Sequence, residues 1–168
     1  MSQEEIKSTA QANEVRHSEN IIQEVLDRFS SMLGNMDFAT QLDTLNIGKF
    51  QFSRKKDALN ELKAMYVGLW KLALNRSFPD DSTEILEKFL DPDAIKSKSK
   101  KRKAEEFRSL CHEYTKTLEV EGDTNFINVA ILICQHLGRT RQEDLLRISL
   151  QLALDMRSMY HNIFERLI

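Results

Sequence analysis

Six of the eight residues from Lys96 to Lys103 are basic: Lys96, Lys98, Lys100, Lys101, Arg102 and Lys103, separated only by Ser97 and Ser99. Cations at that density hold phosphates by charge, in a salt-dependent and sequence-blind way. The rest of the chain has 18 basic and 26 acidic residues, so an acidic body carries one concentrated basic segment. No Phe, Tyr or Trp lies inside the run, which leaves it without a platform for base stacking. Lys100–Lys103 also reads as a nuclear import signal if the cell is nucleated. Phosphate on Ser97 or Ser99 would subtract about 1.5–2 charges each. Residues 80–93, with six acids and one lysine, offer a counter-charge within the same chain.

Other reactive side chains are present without reactive spacing. Cys111 and His112 are adjacent, about 100° apart around a helix, and Cys134 and His136 are about 200° apart, so neither pair chelates a metal. Both cysteines read as buried apolar residues of a reducing compartment. Glycine-rich phosphate loops, a Gly-x-Ser-x-Gly turn and Glu-x-x-His pairs are all missing. No catalytic site, metal or cofactor is therefore expected. One arrangement points the other way. Arg108-x-x-x-His112 and Arg157-x-x-x-His161 each set a guanidinium and an imidazole one helical turn apart. There an Arg can steady phosphate charge while a His moves a proton. This is similar to the Arg and His of HEPN-fold ribonucleases, whose spacer is longer than the three residues found here. The resemblance implies, as a lower alternative, a helical ribonuclease working through Arg157 and His161.

These residues need elements to position them, and the elements read as helices. Five glycines and two prolines are few for 168 residues, and Leu, Glu, Lys, Gln, Met and Ala dominate. Residues 1–14 are polar and weakly patterned, a flexible tail or a frayed helix start. Val15, Ile22, Phe29 and Met36 then recur at heptad spacing with Leu26 and Leu33 between them, and Gly34 offers a stop. Phe38, Leu42 and Leu45 make a short second face. Ser53 is the expected N-cap of a helix ending near Ser77, apolar on most sides and hence interior. Asp80 or Asp81 caps a short helix bearing Ile85, Leu86, Phe89 and Leu90. Asp91-Pro92-Asp93 reads as a helix start. The basic run that follows lacks an apolar stripe until Phe107, so it is either a projecting helix start or a loop. Asp123 or Thr124 opens the helix through "VAILICQHLG", expected to be the central element and closed by Gly138. Thr140 and Glu143 form a capping box for the last helix. Its stripe is Leu145, Ile148, Leu152, Met156, Met159, Ile163 and Leu167. The alternation from Ile148 to Met156 also suits a strand, but the long uninterrupted segment favours helix.

The expected architecture is an all-α, single-domain bundle of five to seven helices over 15–168, with an exposed basic segment at 96–103. The first residues hold no apolar core for a secretory signal. The longest apolar run, Val129–Cys134, falls far short of the ~20 residues that span a bilayer. A cytoplasmic protein without membrane contact is expected, or a nuclear one in a nucleated cell. The leading functional expectation is a non-catalytic protein–protein interaction module: an adaptor, assembly subunit or regulator. Residues 15–36 and 145–167 are its expected surfaces for a protein partner or self-association. The alternative is a nucleic-acid-associated helical protein gripping phosphates through Lys96, Lys98, Lys100, Lys101, Arg102 and Lys103.

Overall fold

The computed structural model describes residues 3–92, 97–139 and 141–167, with side chains from residue 19 onward. Among the described residues there are seven helices and no strand, the all-α architecture read from the sequence. They are α1 (Gln3–Gly34), α2 (Ala39–Thr44), α3 (Phe52–Ser77), α4 (Ser82–Phe89), α5 (Lys98–Glu121), α6 (Ile127–His136) and α7 (Gln142–Leu167). Among the described residues no helix is long and apolar enough to cross a membrane.

The chain divides into two compact units, one through Met36 and one from Asp37. The first is α1. It begins at Gln3, so the polar residues before Val15 continue the helix, and it ends at the expected Gly34. The Ser31 carbonyl accepts both the Asn35 backbone N–H, at 3.1 Å, and Asn35 Nδ2, at 2.9 Å, which closes the last turn. Exposed pairs along its length, such as Arg28–Glu24 at 2.6 Å, contribute only a few tenths of a kcal/mol each, roughly 0.2–0.5.

The second unit is built around α3. Every residue from Ala64 to Leu74 is buried, because a helix that is apolar all round needs neighbours all round. It packs on α2, α4, α5, α6 and α7. Trp70 is fully enclosed and meets the ring of Phe89 edge-on, with centroids 5.2 Å apart.

Contacts between α3 and α5 advance in step along both helices. Gly68 faces Tyr114, Thr115 and Leu118; Asn75 Nδ2 donates to Glu119 Oε1 at 3.1 Å; Arg76 pairs with Asp123 at 2.7 Å. The two helices therefore run parallel, and the chain returns through α4 to begin α5 beside the start of α3. Gly68 permits this approach: a Cβ there would sit 2.8 Å from Leu118 Cδ1 and 3.4 Å from the Thr115 backbone nitrogen.

A buried lysine ties α4 into this pair. Lys71 is 5% exposed, and its ammonium donates to Asn75 Oδ1 (2.5 Å), Ser82 Oγ (2.9 Å) and Thr83 Oγ1 (3.3 Å). All three of its donors are used. Glu119 lies 3.9 Å away as counter-charge. Burial lowers its pKa, with Glu119 and then Glu87 opposing.

Several local expectations move. The N-cap of α3 is Gln51 rather than Ser53, and α6 opens at Ile127 rather than at Asp123 or Thr124. Asn125 Oδ1 accepts from the Ile127 N–H at 3.1 Å, an Asx-type contact that delays the start. The helix expected from Asp91-Pro92 begins instead at Lys98, after the cap position Ser97; residues 93–96 lie outside the described residues. So does Thr140 of the expected capping box. Helix α6 buries Val129, Ala130, Ile133 and Cys134, but Ile127, Ile131 and Leu132 stay partly exposed, so α3 is the central element. The strand-like alternation in α7 resolves into two faces: Ile148, Leu152 and Met156 are buried while Leu150 and Leu154 face outward.

Candidate nucleic-acid interface

Because α3 and α5 run parallel, their first turns share one end of the unit. A cleft of about 570 Å³ opens there. From α3 it is lined by Phe52, Lys55, Lys56, Asp57, Leu59, Asn60 and Lys63, and from α5 by Lys103 and Glu106. Phe52 is 74% exposed. Two residues earlier Phe50 is 90% exposed, in a turn closed by the Gln51 N–H on the Gly48 carbonyl at 3.1 Å.

Both helix starts are electrostatically unusual. Neither has an acid in its first turn or a side-chain hydrogen bond at its cap. Cations occupy the first turns instead, Arg54 and Lys55 on α3 and Lys98, Lys100 and Lys101 on α5, with Lys56, Arg102 and Lys103 just beyond. A positive charge at the positive end of the helix dipole is unfavourable by about 0.3–1 kcal/mol at an exposed site. An anionic ligand would relieve that repulsion.

The basic run of the sequence is thus helical from Lys98, which selects the projecting helix start over the loop. Lys96 lies outside the described residues. Lys98, Lys100, Arg102 and Lys103 are exposed, Lys101 is half-buried, and Arg102 reaches Glu106 at 3.5 Å. Of the run, Lys103 enters the cleft. The two glutamates of α4 are engaged away from the start of α5. Glu84 pairs with Lys88 at 2.7 Å, and Glu87 binds Arg108 and lies 3.4 Å from His112, farther along α5.

The cleft residues of α3 lie outside the 96–103 segment that charge density alone singles out. The signal was in "KFQFSRKK", residues 49–56, where two Phe alternate among four cations with no acid. What the sequence lacked was the register that sets Lys103 beside them.

Of the two Arg and His pairs, the first is engaged by an acid of α4, and the second shares one cavity. Glu87 holds both Arg108 and His112. His161 meets Glu165 at 3.1 Å, and with Arg157, Asp123, Leu154, Ser158 and Tyr160 it lines a cavity of about 390 Å³. A further cavity of about 370 Å³ shares Asp57 and Asn60 with the cationic cleft and contains Arg54, Glu61, His136 and Arg139. In it Glu61 accepts the Tyr114 hydroxyl and lies 3.0 Å from His136 Nδ1, while Glu113 lies 3.6 Å from Nε2. Arg139 donates to the carbonyls of Leu45 and Asn46, the latter at φ 52°. These are holding contacts between elements. Burial raises both thiols, Cys134 to about 11 and Cys111 further, which makes neither a nucleophile. Among the described residues no cluster of His, Cys, Asp and Glu is placed to hold a metal ion.

No protein-family model, curated protein or solved structure matches this chain.

Proposed function

We propose that this protein is a non-catalytic helical module that binds single-stranded nucleic acid in the cleft between the starts of α3 and α5. The observation that carries this reading is the convergence of Lys55, Lys56 and Lys63 with Lys103 around the exposed ring of Phe52. The lysines supply charge for the phosphates. Phe52 and Phe50 offer ring faces that stacked bases inside a duplex cannot reach but splayed bases can. Asp57, Asn60 and Glu106 would weaken a purely phosphate site, yet they can accept hydrogen bonds from base amino groups. An acidic protein or an anionic lipid surface would use the lysines without needing those acceptors.

The test is fluorescence anisotropy with a labelled single-stranded oligonucleotide, a duplex of equal length, heparin, and vesicles of anionic lipid. Salt-sensitive binding that favours the single strand is expected. Phe50→Ala with Phe52→Ala should weaken it roughly tenfold, and Phe→Tyr at both sites should preserve it. Equal affinity for duplex and single strand, untouched by the Phe substitutions, would leave a phosphate grip and remove base stacking. No binding to any polyanion at low salt would end the reading. Phe-dependent binding to vesicles alone would replace it with a membrane-surface role.

A further inference from the structure

The outer face of α7 has a pattern that the cleft does not use. Leu146, Leu150 and Leu154 recur one turn apart and are 61%, 47% and 62% exposed. A helix normally turns such a stripe inward, and α7 already has an inward one in Ile148, Leu152, Met156, Met159 and Ile163. Exposed Glu143 stands one turn before the leucines and exposed Arg157 one turn after them. Among the described residues neither charge has an ion-pair partner within its own chain.

The stripe is symmetric about Leu150. Glu143 precedes Leu150 by the same interval at which Arg157 follows it, and Leu146 and Leu154 are related in the same way. We infer that two copies of this chain pair through α7, antiparallel, about a two-fold axis at Leu150. That arrangement sets each Leu146 against the other copy's Leu154. It also sets each Glu143 against the opposing Arg157, as a self-complementary two-fold contact requires. A parallel pairing would oppose Glu143 with Glu143 and Arg157 with Arg157, and like charges disfavour it. The stripe from Glu143 to Arg157 is about 21 Å long, so the contact is smaller than a standard stable interface and the dimer depends on concentration. Pairing would place two nucleic-acid clefts in one particle and raise avidity for a strand long enough to reach both.

Sedimentation or light scattering from low micromolar to near-millimolar protein tests this. The mass should rise from 19.6 kDa toward twice that value. Leu150→Glu should hold the protein monomeric. Glu143→Arg alone and Arg157→Glu alone should each weaken dimerisation at least tenfold, and the two together should restore it. All these side chains are exposed, and circular dichroism will confirm that each variant is folded. A wild-type mass fixed at 19.6 kDa throughout, or a double swap that fails to restore what the single swaps remove, would overturn the pairing.

Discussion

Phe52, the first residue of α3, and Lys103, on the second turn of α5, line the same cleft. Nothing in their separation along the chain announces this. It follows from the parallel packing of two helices, which superposes their starts, and from Gly68, which lets them approach. Cations and an exposed ring that are unremarkable singly line one cleft when the register aligns them, which makes it the candidate site.

That register is open to a direct perturbation. Gly68→Val should lower stability by about 1–3 kcal/mol, because Leu118 is fully buried and has little room to yield. Gly68→Ala should cost less, since alanine returns up to about 1 kcal/mol of helix propensity. Urea denaturation of the two variants checks the order.

Glu61 satisfies a buried hydroxyl. Tyr114 is fully buried and donates to Glu61, which also lies beside His136. Glu61→Ala should cost about 1–3 kcal/mol by leaving that hydroxyl without an acceptor. Tyr114→Phe made in the Glu61→Ala background should cost less than in wild type, and a double-mutant cycle measures the coupling. Strict additivity would show that the contact contributes nothing.

Lys71 makes stability depend on pH in a defined direction. Its folded-state pKa is lowered from 10.5, so the unfolded chain binds the proton more tightly. The resulting contribution to stability grows as pH rises through the lowered value and levels off above 10.5. Tyr66, Tyr114 and Tyr160 act oppositely: burial raises each above 10.0, and stability is lost as pH climbs past that value. In urea melts across the alkaline range, Lys71→Met should therefore lose stability more steeply with pH than wild type. Parallel curves would contradict the assignment.

The thiols give an independent measure of core integrity. Cys111 and Cys134 are fully buried, and raising Cys134 from 9.0 to about 11 lowers its thiolate fraction about a hundredfold near neutral pH. Both should resist a disulfide reagent in the native protein and react promptly in denaturant. The thiol contribution of Cys134 to stability should fade between pH 9.0 and about 11.

Helix positions were largely legible because apolar residues recur at helical spacing. The inward stripe of α7 follows Ile148, Leu152, Met156 and Ile163 as the sequence implies. The starts were less legible. Ser53 and Thr124 have cap chemistry, but helices can begin a few residues away when a turn or an Asx contact satisfies the backbone first, as Asn125 does. The centrality of α3 over α6 was also hidden, since both are apolar on several faces and only length separates them: 26 residues against 10. Lys103 was singled out by charge alone. Its neighbours in the cleft come from another helix, and no periodicity within one helix encodes a register between two.

The most direct test is the salt dependence of single-strand binding when each wall of the cleft is stripped in turn. Lys55, Lys56 and Lys63 would be changed to Ala as one set and Lys103 alone as the other. If both walls hold one strand, each set should reduce the slope of log affinity against log salt, by about 0.7 for every phosphate contact removed. If only one set changes the slope, or neither does, the two helix starts do not form a shared site.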